Sequence, residues 1–296
     1  MRCLALAPLV WLGKGLARLP LGLLLRFSTL LATMLAPALA RRRRIAAINL
    51  ALCFPELDPA ARARLLRDNV RETVMGLFEL LRAWYAPAWR LRGVARIEGL
   101  ELLRETMASG RGVLLFTGHF IQAELASRLL SEALGLRVRG VVRRHDRPCV
   151  ERVFEQARRR VFAPTLSKKD VRGLLRALRA GDLVVYSADQ NFSYHHAFVP
   201  FFGQPAATLD GTAQLVRHAG ACMLPFWFCR DAQGIYHLRV EPEWPGWRDA
   251  EPEQSARIYM HELERAVRRC PQQYLWMHRR FKTRPPGLPS PYVDQA

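Results

Sequence analysis

Residues 110–124 of the chain read GRGVLLFTGHFIQAE and contain its most distinct strand signal. Gly110 and Gly112 indicate a turn, and a short, almost wholly apolar run follows at 113–117. Such a run after a turn is typical of a strand that is buried on both faces, as in a parallel sheet. The residues at 120–134 are then expected to form a helix. Together these segments predict a strand followed by a crossover helix.

Strand and helix signals alternate through the rest of the chain. Upstream, Asp58 and Pro59 predict the start of a helix that faces the core. Downstream, the pattern predicts strands at 138–142, 183–187, 223–229 and 236–240, and helices at 150–161, from a Ser167–Asp170 capping box to Arg179, and at 210–219. This alternation predicts an α/β fold with a mainly parallel, mixed sheet flanked by helices.

A histidine and a glutamate follow the strand at 113–117, where an α/β protein places its ligand site. His119 comes just after the strand, and Glu124 lies five positions later. A histidine can act as a general base because its usual pKa, about 6.5, is close to neutral pH. If His119 precedes the helix and Glu124 lies in its first turns, the carboxylate is expected to accept the other ring N–H and fix the tautomer. The alternative is a structural, hydrogen-bonded histidine.

A second polar cluster, Asp189, Gln190 and Asn191, follows the predicted strand at 183–187. Because the carboxyl ends of parallel strands share one edge of a sheet, this cluster is expected to face His119 across a crevice. The alternative is an Asx-type turn in a loop.

Two further segments each leave two interpretations open. The apolar segment FVPFFG at 198–203 lies in a region predicted as loop, and it is either core packing or the wall of an apolar ligand channel. Residues 274–284 interleave aromatic side chains with four basic ones. They either bind phosphates of nucleic acid or lipid headgroups, or form a solvated basic end.

The chain is strongly basic, with 45 Lys and Arg against 26 Asp and Glu, a formal charge of +19 over 296 residues. Half of the residues are apolar, which excludes a disordered basic tail. Residues 1–50 hold eight basic residues and no acidic one, and the segments 137–147, 158–176 and 256–284 are also basic. This pattern predicts an acidic partner. Because C-x-x-C, H-E-x-x-H, P-loop and G-x-S-x-G motifs do not occur, neither a metal nor a cofactor is predicted.

The N-terminal segment is apolar but interrupted by basic residues. Its longest charge-free run, 27–40, has 14 residues, fewer than the ~18–20 that span a membrane unaided. Three interpretations compete: a signal peptide, which the internal charges disfavour; a transmembrane helix over 16–40, with the arginines at 41–44 on the cytoplasmic side; and a helix lying in one leaflet. We expect a membrane anchor at 1–45, spanning or in-plane, followed by a single α/β domain at 46–296.

Six segments carry further sequence motifs. They are NLALCFPE at 49–56, HFIQAE at 119–124, Val142-Arg143, Asp189-Gln190, FVPFFGQPAAT at 198–208 and YLWMHRRFKTRP at 274–285. In content and order they resemble the motifs of the late acyltransferases of bacterial lipid A biosynthesis, the lauroyl and myristoyl transferase family. The resemblance covers nearly the whole chain.

The resemblance implies a glycerolipid acyltransferase-like fold and an inner-membrane enzyme with its active site on the cytoplasmic side. Such an enzyme transfers a fatty acyl chain, lauroyl or myristoyl, from acyl carrier protein to a hydroxyacyl hydroxyl of the Kdo-modified tetraacylated lipid A precursor. The catalytic histidine and acid of the family map onto His119 and Glu124. Four further residues are carried over as binding or supporting residues: Arg143, Arg160, Asp189 and Gln190.

Two other functions remain to be weighed. An acyltransferase of another membrane lipid, such as a glycerophospholipid or an aminolipid, needs the same chemistry. If the chain were a basic nucleic-acid-binding protein, its affinity for DNA or RNA would fall steeply as the salt concentration rises. The leucine-rich N-terminus and the motifs argue against the second, so no nucleic-acid partner is expected.

Overall fold

The computed structural model describes residues 6–292. Its first part consists of four helices: α1 (Ala7–Leu16), α2 (Leu21–Leu35), α3 (Ala40–Cys53) and α4 (Pro59–Tyr85). The Asp58 carboxylate accepts the N–H of Ala61 at 2.7 Å and so caps α4, as the sequence predicts. Each of the three preceding helices packs against α4, which therefore joins the N-terminal segment to the rest of the fold.

The apolar N-terminal segment does not form one long helix. Pro20 lies between α1 and α2, and Pro37 lies between α2 and α3; proline lacks the N–H that would continue a helix. No single helix within the described residues is long and apolar enough to cross a membrane. Taken together, α2 and α3 have the necessary length and apolar composition, but their axes are bent by 103°. The continuous helix over 16–40, one of the expected alternatives, is therefore not formed. The expected boundary between residues 45 and 46 falls inside α3.

Seven strands form one sheet. They are β1 (Ala95–Glu98), β2 (Val113–Thr117), β3 (Arg139–Val142), β4 (Leu166–Ser167), β5 (Leu183–Ser187), β8 (Cys222–Arg230) and β9 (Tyr236–Val240). Their order across the sheet is β1-β9-β8-β2-β5-β3-β4. All neighbours are parallel except β8 and β9, which a short connection joins as an antiparallel pair. Every residue of β2 is buried, which confirms the prediction of a mainly parallel sheet with this strand inside it.

Within residues 6–292, six further α-helices connect and flank the strands. They are α5 (Leu100–Ala108), α6 (Ala123–Leu134), α7 (Pro148–Arg158), α8 (Val171–Arg179), α9 (Thr212–Ala219) and α10 (Pro252–Arg269). The predicted Ser167–Asp170 capping box is only partly correct. Ser167 lies in β4, and Asp170 alone caps α8 by accepting the N–H of Gly173 at 2.8 Å.

A two-stranded hairpin replaces the loop that the sequence predicts after β5. It pairs β6 (His196–Phe201) with β7 (Gln204–Leu209) as antiparallel strands. The turn residues Phe202 and Gly203 have φ of 51° and 72°, and two positive φ values suit the right-handed twist of a tight hairpin. Phe201 is fully buried and β6 packs against α10. Of the two interpretations of this apolar segment, core packing is correct.

Candidate active site

The register of two strands brings the predicted polar clusters together. β2 and β5 are parallel neighbours, with Thr117 opposite Ser187. His119 and Asp189 each follow two residues later, so both lie at the carboxyl edge of the sheet. His119 Nδ1 lies 2.5 Å from Asp189 Oδ1, and the backbone N–H of His119 donates to Asp189 Oδ2 at 2.9 Å. The prediction that the Asp189 cluster faces His119 is confirmed.

Asp189 is held as a buried carboxylate. Its side chain is 1% exposed, and the Tyr274 hydroxyl donates to Oδ2 at 2.7 Å. Burial alone raises the pKa of Asp189, but the charge of His119 and hydrogen bonds from His119 and Tyr274 outweigh burial and hold the pKa well below its usual range. Asp189 is therefore ionised at neutral pH and keeps the ring proton on Nδ1 of His119.

In the neutral form of the His119 ring, the other nitrogen, Nε2, then carries the lone pair. The His119 side chain is 35% exposed, in contrast to its enclosed partner. A cavity of about 10 Å³ adjoins the pair, lined by Asn49, His119, Asp189, Gln190, Tyr274, Leu275, Trp276, His278 and Arg280. A partly exposed imidazole backed by a buried carboxylate can take a proton from a hydroxyl that enters the crevice.

Tyr259 of α10 ties the ends of the two strands to each other. Its hydroxyl donates to the carbonyl of Thr117 at 2.8 Å and accepts the N–H of Ala188 at 3.3 Å. The Tyr259 ring stacks on Phe116 with ring centroids 4.0 Å apart. Helix α10 thus fixes the spacing between the segments that carry His119 and Asp189.

A second histidine, His278, borders the same cavity in its neutral form. Its Nε2 accepts the N–H of Asn191 at 3.2 Å, a bond that requires a lone pair on this nitrogen. Burial, with the neighbouring charge of His119, lowers the pKa of His278 to about 4. His278 is therefore a neutral acceptor that holds the loop after Asp189.

The lowered pKa of His278 gives a testable dependence of stability on pH. Between about 6.5 and about 4 the unfolded chain binds a proton at this residue that the folded protein does not, so stability falls as pH falls through that range. Thermal unfolding from pH 7 to pH 4.5 should therefore show a shallower decline for His278→Asn than for the wild type. The exposed His218 supplies the control, since His218→Asn should decline as the wild type does. Equal declines for all three proteins would contradict the assignment.

Glu124 does not bond the His119 ring, in contrast to the expectation from the sequence. It lies in the first turn of α6, where its carboxylate accepts from Trp84 Nε1 at 2.5 Å and from Arg158 Nε at 2.8 Å. Arg158 Nη2 also bonds Glu124. The physical reason is the strand register, which places Asp189 against Nδ1 of His119, while Glu124 faces side chains from α4 and α7.

Of the other three residues expected at the site, one lines the cavity at His119 and two do not. Gln190 lines the cavity beside His119, and its carbonyl accepts from Arg280 Nη1 at 3.4 Å. Arg143 is exposed and pairs with Asp146, which follows it in an exposed loop. Arg160 is exposed, with its guanidinium 5.9 Å from the ring centroid of Tyr85. Neither arginine lines the cavity at His119.

Several residues of the site were not anticipated as such. Arg158 lies two positions before Arg160 in the basic stretch that the sequence shows, but only packing reveals its pairing with Glu124. Asn49, from the first motif, donates to the carbonyls of Trp276 and His278 at 2.7 and 2.8 Å. These bonds join the motifs at 49–56 and 274–285 at the site. The only sequence feature that linked the two motifs beforehand is that both match the pattern of one family.

The described part of the chain holds no group of three His, Cys, Asp or Glu side chains suited to a metal ion. A carboxylate–imidazole pair lies at the carboxyl edge of its α/β sheet. Such a pair has the chemistry of enzymes in which a histidine base activates a hydroxyl.

Comparisons with known proteins give the family. The model of the family described as "Bacterial lipid A biosynthesis acyltransferase" matches residues 6–283. The chain belongs to this family and is an acyltransferase. It is 35% identical to the "Lipid A biosynthesis lauroyltransferase" of Escherichia coli K12, over 96% of this chain and 94% of that protein.

Two more relatives from Escherichia coli K12 are named after other acyl groups. The "Lipid A biosynthesis palmitoleoyltransferase" is also 35% identical, over 96% of this chain and 94% of the relative. The "Lipid A biosynthesis myristoyltransferase" is 26% identical, over 84% of this chain and 78% of the relative.

Proposed function

We propose that the protein transfers a lauroyl or myristoyl chain from acyl carrier protein to a hydroxyacyl hydroxyl of the Kdo-modified tetraacylated lipid A precursor. The observation that carries the proposal is the bond between His119 Nδ1 and the buried Asp189 carboxylate, in a chain of the lipid A acyltransferase family. The names of the relatives support lipid A chemistry.

The first step is a proton transfer coupled to attack. A hydroxyl on an acyl chain has a pKa far above 7, so a base must remove its proton as the oxygen attacks the thioester carbonyl. Nε2 of His119 takes this proton, and Asp189 stabilises the imidazolium that forms. When the tetrahedral intermediate collapses, the C–S bond breaks and the imidazolium returns the proton to the leaving thiolate. The products are the ester and the free thiol of the carrier.

The oxyanion of the intermediate needs hydrogen-bond donors. Helix α6 begins just after His119, and its N-cap residue Gln122 makes no side-chain cap. Backbone N–H groups of the first turn and the positive end of the helix dipole therefore suit a developing negative charge. Arg143, the other expected donor, is exposed and paired with Asp146, which favours the helix start.

Glu124 remains part of the proposed machinery, in a positioning role. It bonds Arg158 and Trp84 at the start of α6, the helix that follows His119 in the chain. Glu124→Ala should lower the rate of acyl transfer by at least ~100-fold, mainly in kcat, because Arg158 and Trp84 lose the carboxylate that fixes them at the start of α6, and the segment that carries His119 is then misplaced.

Glu132 offers a matched control on the same helix. It is also a glutamate in an arginine pair, with Arg128. Glu132→Ala should retain near wild-type transfer in the same steady-state assay. Equal rates for the Glu124→Ala and wild-type enzymes would show that Glu124 has only a structural role.

We also propose that the segment 1–45 attaches the protein to the inner membrane, with the catalytic domain on the cytoplasmic side. Helices α1 and α2 expose large apolar side chains, among them Trp11 at 71%, Leu30 at 61% and Met34 at 68%. Basic residues accompany this apolar surface, namely Lys14, Arg18 and Arg26. An apolar surface with basic neighbours suits the boundary between acyl chains and anionic headgroups.

A panel of acceptors tests the proposed substrate against the alternative that another membrane lipid is acylated. Purified full-length protein is incubated with acyl carrier protein that bears a labelled acyl chain and, in separate reactions, with the tetraacylated lipid A precursor, a lysophospholipid and an aminolipid. We expect label only in the lipid A precursor. Transfer to either of the other lipids in preference to the precursor would contradict the proposal.

A further inference from the structure

Asn69, in the first half of α4, bonds a segment near the end of the described chain. Its Nδ2 group donates to the carbonyls of Gln272 and Tyr274 at 2.9 and 2.8 Å. Asn69 is fully buried, so both bonds form away from water. A carboxamide has two N–H donors, and Asn69 uses both of them on alternate carbonyls of one segment. The side chain therefore fixes the path of the backbone there.

Asn49 of α3 makes the same pair of bonds further along this segment. Its Nδ2 group donates to the carbonyls of Trp276 and His278, and Asn49 is buried as well. The four accepting carbonyls thus belong to alternate residues of 272–278, which we call the clamped segment. Helices α3 and α4 pack against each other, so two buried amides on neighbouring helices hold the clamped segment along its length.

The clamped segment runs antiparallel to the residues around the proposed catalytic base. The N–H of Leu275 donates to the carbonyl of His119 at 3.0 Å, and the N–H of Ile121 donates to the carbonyl of Gln273 at 2.9 Å. These two bonds set the position of the His119 backbone relative to the clamped segment. A displacement of the segment therefore also moves the base.

Tyr274 links the clamped segment to the carboxylate of the proposed catalytic pair. Asn69 bonds the carbonyl of Tyr274, and the hydroxyl of the same tyrosine donates to Asp189 Oδ2 at 2.7 Å. The Tyr274 ring is buried between other aromatic rings, with centroid distances of 5.6 Å to Phe120 and 4.9 Å to Trp276. Because closely packed side chains transmit strain, a shift of the Tyr274 backbone reaches its hydroxyl.

We propose that Asn69 is a positioning residue for acyl transfer, which acts through Tyr274 by holding its hydroxyl against Asp189. Asn49 holds the same segment, but it also lines the small cavity at His119, whereas Asn69 does not. The effect of Asn69 on the reaction therefore passes through the clamped segment rather than through contact with a substrate. This inference rests on the proposed function, since it takes His119 and Asp189 as the catalytic pair.

A double-mutant cycle on the full-length enzyme tests whether Asn69 acts through the hydroxyl of Tyr274. The cycle compares the wild type, Asn69→Ala, Tyr274→Phe and the double variant, with acyl carrier protein as the donor and the lipid that the wild type acylates as the acceptor. Each single change should lower kcat by ~10-fold, the effect of a single hydrogen bond, and leave KM within a few-fold. The double variant should also lose only ~10-fold, because both changes break one connection, whereas independent effects would multiply to ~100-fold.

Leu103 provides a control for a loss of stability alone. It is fully buried in α5 and lies outside both the cavity at His119 and the clamped segment. Leu103→Ala removes apolar packing and should lower the melting temperature, as Asn69→Ala should, but only Asn69→Ala should lose kcat. If Asn69→Ala does not fold, Asn69→Gln enters the same cycle, because it keeps the carboxamide but displaces it by one methylene.

Three results would overturn the proposal: losses that multiply in the double variant, a wild-type kcat for Asn69→Ala, or an equal loss of kcat in Leu103→Ala. Non-additive losses support it whichever lipid is acylated, because kcat is measured with the acceptor that the wild type uses. If that acceptor is not the lipid A precursor, the proposed function is contradicted while the positioning role of Asn69 stands.

Discussion

Replacing His119 with alanine should reduce acyl transfer from acyl carrier protein by about 10²–10⁴-fold, the contribution of a positioned general base. Nε2 of His119 is the nitrogen that Asp189 leaves free to take a proton, and Asp189 itself is enclosed at 1% exposure. Without the imidazole, the substrate hydroxyl keeps its proton at neutral pH and attacks the thioester only slowly.

A second substitution distinguishes the role of His119 as a base from its role as a hydrogen-bond donor to Asp189. His119→Asn retains an amide donor toward Asp189 but has no group that can take the proton of the substrate hydroxyl, so it should be as inactive as His119→Ala. Thermal unfolding of both variants, compared with the wild type, checks that the fold persists. A rate within a few-fold of the wild type for either variant would contradict the role of His119.

Asp189→Asn should produce the second large loss, about 10³–10⁴-fold in kcat, with little change in shape. The substitution removes a buried negative charge that accepts from the His119 ring, the His119 backbone and Tyr274. An amide N–H facing Nδ1 forces the ring proton onto Nε2, where the base must be free. The loss should therefore persist across pH 6–9 rather than shift to a new optimum.

The rates of an Asp189 variant and a Glu124 variant, measured side by side, show which carboxylate orients the His119 ring. Steady-state rates of Asp189→Asn and Glu124→Gln are measured with the same donor and acceptor. The structure predicts the larger loss for Asp189→Asn, because Glu124 bonds Trp84 and Arg158 rather than the ring. A near wild-type rate for Asp189→Asn, together with an inactive Glu124→Gln, would assign the orienting role to Glu124 instead.

Much of the sheet was predictable because its buried strands are short apolar runs between turns. β2, β5 and β9 have the predicted bounds. The meeting of His119 and Asp189 was also predictable, because both residues follow parallel strands at one edge. The choice of partner for the histidine was not, since nearness in sequence favours Glu124 whereas strand register, set over 70 residues, favours Asp189.

Physical reasons explain why some elements could not be predicted from the sequence. The hairpin of β6 and β7 contains Pro200 opposite Pro205, and proline within an apolar run argues against a strand. The segment at 16–40 has the apolar composition of a spanning helix, but its prolines set the breaks. The contact between Asn49 and the carbonyl of Trp276 joins residues 227 positions apart, which neither composition nor spacing can bring together.

Mass spectrometry of lipid A from cells with and without this protein measures the proposed product directly. We predict that lipid A from cells with the protein is heavier by one fatty acyl chain, attached through an ester to a hydroxyacyl group. Reintroducing the wild-type chain should restore this mass, and reintroducing His119→Ala should not. Identical lipid A masses with and without the protein would contradict the proposal that it acylates the lipid A precursor.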